Sequence, residues 1–135
     1  MLKKFIRWSV TLAYAAGVFY LSVMPSGGPE FFPHQDKVIH FVMYAGMAFL
    51  FVWLLRVTSL RSWQHLPLLA AGFAIAYGAL NEFNQIFISY RSAEVGDLAA
   101  NFVGATVGAF AGMIAARAMD ARRARVAELS SGERQ

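Results

Sequence analysis

Glu82 stands well inside a long apolar run, where Gly78, Asn81 and Gln85 are the other interruptions of residues 68–88. An ionised side chain in mid-bilayer costs about 2.5 to 3.5 kcal/mol on insertion scales, so such groups face protein and find partners there. Two further clusters supply the partners: Asp36, Lys37, His40 and Tyr44 open the preceding apolar stretch, and Asp97 and Asn101 open the following one. These residue types suit acid–base chemistry or recognition of a polar head group. The candidates for proton transfer are His40, Glu82 and Asp97. Glu82 is desolvated beside Asn81 and Gln85, and His40 has Asp36 one turn before it. The bland alternative for His40 is a histidine satisfied beneath the head groups. Candidate ligand-binding residues are Asp36, Lys37, Tyr44, Gln85, Arg91 and Asn101. Arg91 carries the planar fork that matches a phosphate or carboxylate of a lipid-linked ligand, its alternative role being to hold Glu94 or Asp97 in place.

Other chemistries are harder to place. Glu82, Asp97, Asn101 and His40 include hard ligands for a divalent cation, but no spacing motif supports one, so neither a metal nor a cofactor is expected. The absence of cysteine excludes disulfides, iron–sulfur clusters and thiolate metal sites. There is no Walker loop, dinucleotide glycine fingerprint, zinc-protease helix or nucleophile elbow.

The elements that must position these residues are membrane spans. Of 135 residues 58% are hydrophobic and only 15% charged, with a mean hydropathy of +0.47, which is the composition of a bilayer protein. Four windows, 8–24, 37–55, 66–88 and 97–116, reach the roughly 20 residues a helix needs to cross about 30 Å of hydrocarbon. Pro25, Gly27, Gly28, Pro29 and Pro33 break the first gap, the second is short and polar, and residues 89–96 form the third. The first window continues too far to read as a cleaved signal peptide and is expected to stay as a helix. The fold class is therefore all-α, an antiparallel bundle of four transmembrane helices. Residues 1–116 form the membrane domain, and 117–135 a basic helix extension that becomes a disordered tail after Leu129.

Basic residues set the expected orientation. With both termini inside, the cytoplasmic side holds Lys3, Lys4, Arg7, Arg56, Arg61, Arg117, Arg122, Arg123, Arg125 and Arg134, leaving only Lys37 and Arg91 outside. This distribution accounts for a pI near 9.8 without nucleic acid. The aromatic residues Trp8, Trp53 and Trp63 are expected as anchors at the inner interface, and Phe31 and Phe32 at the outer one.

Depth and helical phase then agree. In such a bundle the start of helix 2, the end of helix 3 and the start of helix 4 share the outer face, which places His40, Tyr44, Glu82 and Asn101 within about 5 to 10 Å of it. Asp36, His40 and Tyr44 form one i, i+4 stripe, as do Tyr77, Asn81 and Gln85, and Gly78 with Glu82. On helix 4, Asp97 and Asn101 lie in phase with Gly104, Gly108 and Gly112, a small-residue series that admits close helix approach. That series could pack within the chain or against a second copy. The polar cluster itself has two readings: hydrogen-bonded glue between helices, or a site that binds or transforms a ligand. A proton-coupled carrier is a weaker third reading, because helices 2 and 4 are apolar toward the inner face.

The pattern Asp36-Lys37-x-x-His40-Phe41-x-x-Tyr44, Gly78-x-x-x-Glu82-x-x-Gln85, Arg91 and Asp97-Leu98-x-x-Asn101-x-x-Gly104-x-x-x-Gly108 closely resembles the VanZ-like family of small bacterial membrane proteins. The family takes its name from a protein associated with resistance to the glycopeptide antibiotic teicoplanin. The resemblance covers residues 24–112, with Ser89 and Tyr90 standing where relatives often carry Pro-Gly. It implies a multi-pass protein of the bacterial cytoplasmic membrane with an envelope role. Its partners would be membrane lipids and a lipid-linked envelope precursor, with no nucleic acid. The marked positions are Asp36, His40, Glu82, Gln85, Arg91, Asp97 and Asn101.

Overall fold

The computed structural model describes residues 1–25, 31–56, 64–91 and 94–132. The expected pattern of four helices is found, α1 at Leu2–Val23, α2 at Gln35–Leu55, α3 at Leu66–Gln85 and α4 at Val95–Gly132, each long and apolar enough to cross a membrane. Gly27, Gly28, Pro29, Arg61 and Trp63 lie outside the described residues, as do Glu133, Arg134 and Gln135.

The helix boundaries differ from the hydropathy windows for local reasons. The α3 helix stops at Gln85 rather than continuing to Ile88. Its last turn tightens into i to i+3 bonds, Phe87 N donating to Asn84 O at 3.2 Å and Ile88 N to Gln85 O at 3.0 Å, a common way for a helix to end. In the other direction, α4 continues through Gly132, so the chain is still helical beyond Leu129, where the sequence reading ended the order. Ser130 and Ser131 turn their hydroxyls back onto Ala127 O and Glu128 O, which keeps both residues compatible with a helix. At about 1.5 Å per residue this 38-residue helix is about 57 Å long, nearly twice the hydrocarbon thickness. Its basic end therefore projects beyond a bilayer.

Direction follows from the tethers. The starts of α2 and α4 meet at His40 and Asn101, with Glu82 from the end of α3 beside them. At the other end of the bundle Arg7 of α1 donates to the Trp53 carbonyl of α2 and lies over its ring at 4.6 Å, and Arg56 pairs with Asp120. Successive helices are thus antiparallel.

The centre of the bundle is the α2–α4 pair, and it is built on small residues. A Cβ on Gly104 would collide with the Phe41 carbonyl and one on Gly108 with that of Ala45, while Gly112 faces Phe49 and Val52. Close backbone approach of this kind replaces the hydrophobic drive that lipid does not provide between helices. The glycine face is therefore packed against α2 of the same chain. Tyr44, Met47, Ala48, Val52, Ala70, Ala74, Ala105 and Ala109 complete the core. Outside it, Leu68, Phe83, Phe102, Val107 and Ile114 are exposed, an apolar exterior suited to lipid.

The α1 helix sits differently. It buries only Thr11, Val18 and Ser22 and is held by polar tethers: Tyr14 OH to Met43 O at 3.0 Å, Tyr77 OH to Ala15 O at 2.8 Å, and Tyr90 OH to Val23 O at 2.9 Å.

Candidate functional site

The polar residues of α3 divide between two faces, because positions 81 and 82 are about 100° apart on a helix. Tyr77, Asn81 and Gln85 look toward α1. Asn81 Nδ2 donates to the Tyr44 hydroxyl at 2.9 Å and to Ser22 Oγ at 3.3 Å, and Gln85 Nε2 donates to the Ser22 carbonyl at 3.1 Å. Gly78 and Glu82 look toward α2 and α4. A Cβ at Gly78 would lie 3.0 Å from the Tyr44 ring and 3.1 Å from Asn101 Nδ2, so the glycine lets those two side chains close over Glu82.

The inner cluster is made of His40, Glu82, Asp97 and Asn101, all buried. His40 Nδ1 lies 3.0 Å from Asn101 Oδ1 and 3.5 Å from Glu82 Oε1. One ligand atom each from His40, Glu82 and Asp97 lie within 4.8 Å of one another. Glu82 is 3% exposed, yet neither of its carboxylate oxygens makes a hydrogen bond of ordinary geometry among the described residues, the His40 imidazole standing 3.5 Å away, and Asn101 Nδ2 and Asn81 Oδ1 make none either. Buried polar atoms are nearly always satisfied, so these unmet groups set the cluster apart from the rest of the bundle. Tyr44 lies beneath, fully buried, with its ring stacked toward His40 at 6.4 Å.

An outer layer sits above this one. Lys37 Nζ reaches Asp36 at 2.8 Å, Glu94 at 3.0 Å and Asp97 at 3.4 Å. Asp97 thus belongs to both layers, and Gly96 is open enough for the Lys37 stem to lie against it. By formal charge the two layers hold four carboxylates, Asp36, Glu82, Glu94 and Asp97, against the single ammonium of Lys37.

Among the residues singled out from sequence, Asp36, Lys37, His40, Tyr44, Glu82, Asp97 and Asn101 are brought together. Gln85 and Arg91 are not. Arg91 Nη2 donates to the Leu21 carbonyl at 2.9 Å, so the guanidinium caps the end of α1 rather than facing the cluster or holding Glu94 and Asp97. Lys37 holds those acids instead. Sequence reasoning missed Ser22, which ties α1 to Asn81 and Gln85. The available signal was Thr11, Val18 and Ser22 falling on one face of α1 at i, i+7 and i+11.

A curated relative, an uncharacterised protein of the fission yeast Schizosaccharomyces pombe, is 33% identical over 76 residues, which is 56% of this chain and 44% of that protein. The chain thus spans less than half the length of the curated relative it matches, and that relative comes from a eukaryote. No solved structure matches it. The model of the VanZ/LLP1 family matches residues 6–116, a stretch that takes in α2 and α3 whole, most of α1, the first part of α4 and every residue of both polar layers, and the chain belongs to that family.

Proposed function

We propose that this protein receives the head group of an anionic, lipid-linked envelope molecule from the bilayer into the end of the bundle where α2 and α4 begin and α3 ends, and that His40, Glu82 and Asp97 bind or transform it. The carrying observation is the buried carboxylate of Glu82, which makes no hydrogen bond of ordinary geometry and stands 3.5 Å from His40. His40 and Glu82 would exchange protons with the head group, and Lys37 would meet its charge at the rim. The excess of carboxylates means that an anionic group enters only with a cation or protons to balance it.

In this reading the site faces outward, both termini are cytoplasmic and the membrane is the cytoplasmic membrane of a bacterium. The support is the placement of ten Lys and Arg residues toward one side against two toward the other. Teicoplanin resistance is the association carried by the family name, and changes in susceptibility to glycopeptides would be its cellular readout.

The test is to purify the protein with its native lipids and identify what co-purifies by native mass spectrometry. His40→Gln and Glu82→Gln should remain folded and as heat-stable as the wild type while losing the bound envelope lipid. Variants that lose stability in parallel with binding would favour a second reading, an accessory protein whose polar residues only fix helix register. That reading has its own observation: Tyr14, Tyr77, Gln85, Tyr90 and Arg91 all donate to backbone carbonyls of neighbouring helices.

A further inference from the structure

Two groups of acids lie close enough to hold an ion, and their surroundings differ. Asp36, Glu94 and Asp97 are one group, and Lys37 Nζ already stands among them within 3.4 Å of each. A lysine ammonium there supplies the positive charge the group needs. The deeper group, His40, Glu82 and Asp97, is buried at all three residues and contains no lysine or arginine. Asp97 shares Lys37 with two other acids, and Glu82 makes no hydrogen bond of ordinary geometry on either oxygen.

Three ways of relieving Glu82 can be compared. Protonation would neutralise it and let its hydroxyl turn to Asp97 or His40, but would leave the other oxygen without a hydrogen bond and the charge of Asp97 shared with two other acids. A protonated His40 would offer one ion pair, at 3.5 Å, yet leave the second carboxylate oxygen bare. A divalent cation would engage the Glu82 carboxylate, balance the charge of Asp97 and use the imidazole as a neutral ligand. The spacing suits it. With metal–ligand bonds of about 2.0 to 2.2 Å, neighbouring ligand atoms stand about 3 to 3.5 Å apart. The His40–Glu82 pair is already at that separation, and Asp97 lies within 4.8 Å of both. Asn101, with an amide oxygen 3.0 Å from His40 and an unpartnered amide nitrogen, borders the same space. A mixed set of imidazole and carboxylate oxygen favours Mn²⁺, Fe²⁺, Co²⁺ or Zn²⁺ over Ca²⁺ or Mg²⁺, which take oxygen alone.

We propose that His40, Glu82 and Asp97 form a buried site for one divalent first-row transition-metal ion. This goes beyond the head-group reading and does not depend on it. Three protein ligands leave coordination positions open to water or to an oxygen of another molecule, the arrangement found at metal sites that act on ligands rather than at closed structural ones.

The experiment uses the full chain in detergent micelles, free of any histidine tag, stripped with chelator and then dialysed against Co²⁺, Zn²⁺ or Mn²⁺. One ion per chain should be retained after gel filtration. The Co²⁺ form should show the visible absorption of a bound nitrogen- and oxygen-ligated ion, and added Zn²⁺ should bleach it. Glu82→Gln and His40→Gln should weaken uptake tenfold or more, whereas Glu94→Gln, which touches only the outer group, should leave it within about threefold of the wild type. The proposal falls if the wild type takes up no stoichiometric ion, if Glu82→Gln binds as tightly as the wild type, or if Glu94→Gln alone abolishes uptake. The wild-type Co²⁺ spectrum keeps the test decisive even if a variant fails to fold. A chain that binds its ion but co-purifies with no envelope lipid would keep this inference and lose the head-group reading.

Discussion

Glu82 and Asn81 are adjacent in sequence and serve opposite ends, and the difference between them is that the Asn81 amide nitrogen finds hydrogen bonds while neither Glu82 oxygen makes one of ordinary geometry. Asn81 is answered by Tyr44 and Ser22, so it contributes to the bundle as interhelical hydrogen bonds do, about 0.6 kcal/mol each on average. Tyr44→Phe removes one of these bonds without opening a cavity. A loss of about 0.5 to 1.5 kcal/mol is expected in detergent unfolding, small enough that the protein still purifies as the wild type does. Glu82→Gln should behave the other way. It removes a buried carboxylate that has only the His40 imidazole at 3.5 Å beside it, so unfolding should show stability unchanged or raised, while head-group retention is lost. A destabilisation of several kcal/mol by Glu82→Gln would mean that the carboxylate is a structural partner after all. At this scale much of the site was legible, because i, i+4 spacing fixes which side chains share a face: His40 with Tyr44, and Gly78 with Glu82. Arg91 was not legible. It follows the last turn of α3, where no helical period relates a side chain to the faces before it, and only tertiary contact shows that it caps α1 through Leu21.

Among the helices, α2 and α4 carry the site because their glycine contact brings His40 and Asn101 within hydrogen-bonding distance. Gly108 makes this testable. A valine there drives three carbons toward the Ala45 carbonyl, the helices must separate, and overpacking of this kind costs about 1 to 3 kcal/mol. The His40–Asn101 contact should loosen with it. The expected result for Gly108→Val is lower thermal stability together with weaker ligand retention. Gly17→Ala provides the contrast. A Cβ at Gly17 meets nothing within 4 Å, so the substitution should be neutral or stabilising by up to about 1 kcal/mol through helix propensity. Equal damage from both would show that glycine matters here for flexibility rather than for close approach. Hydropathy located these helices but not their ends. The apolar pattern of α4 stops near Ala116, yet Ala, Arg and Glu are strong helix formers, and the helix continues through Gly132. Whether the glycine face met this chain or another copy was equally hidden, since a small-residue stripe specifies close approach and not the partner.

The whole molecule is polarised along the bundle axis. One end gathers carboxylates around Lys37; the other gathers arginines, with Arg7 on Trp53 and Arg56 on Asp120 and Arg117, Arg122, Arg123 and Arg125 on the projecting part of α4. Lysine and arginine near span ends are retained on the cytoplasmic side, and the head-group proposal requires the acidic end to meet the opposite leaflet. Orientation is therefore the assumption on which the functional reading turns. The chain has no cysteine, so single-cysteine variants report accessibility without background. Phe31→Cys, an exposed position beside the start of α2, should react with a membrane-impermeant maleimide added to intact cells. Ala124→Cys, on the projecting end of α4, should react only after the cells are permeabilised. The reverse pattern would place the His40–Glu82–Asp97 cluster under the inner leaflet, where molecules displayed only on the outer surface do not reach it. The metal-site inference would survive that result, because it rests on three side chains and not on which side they face.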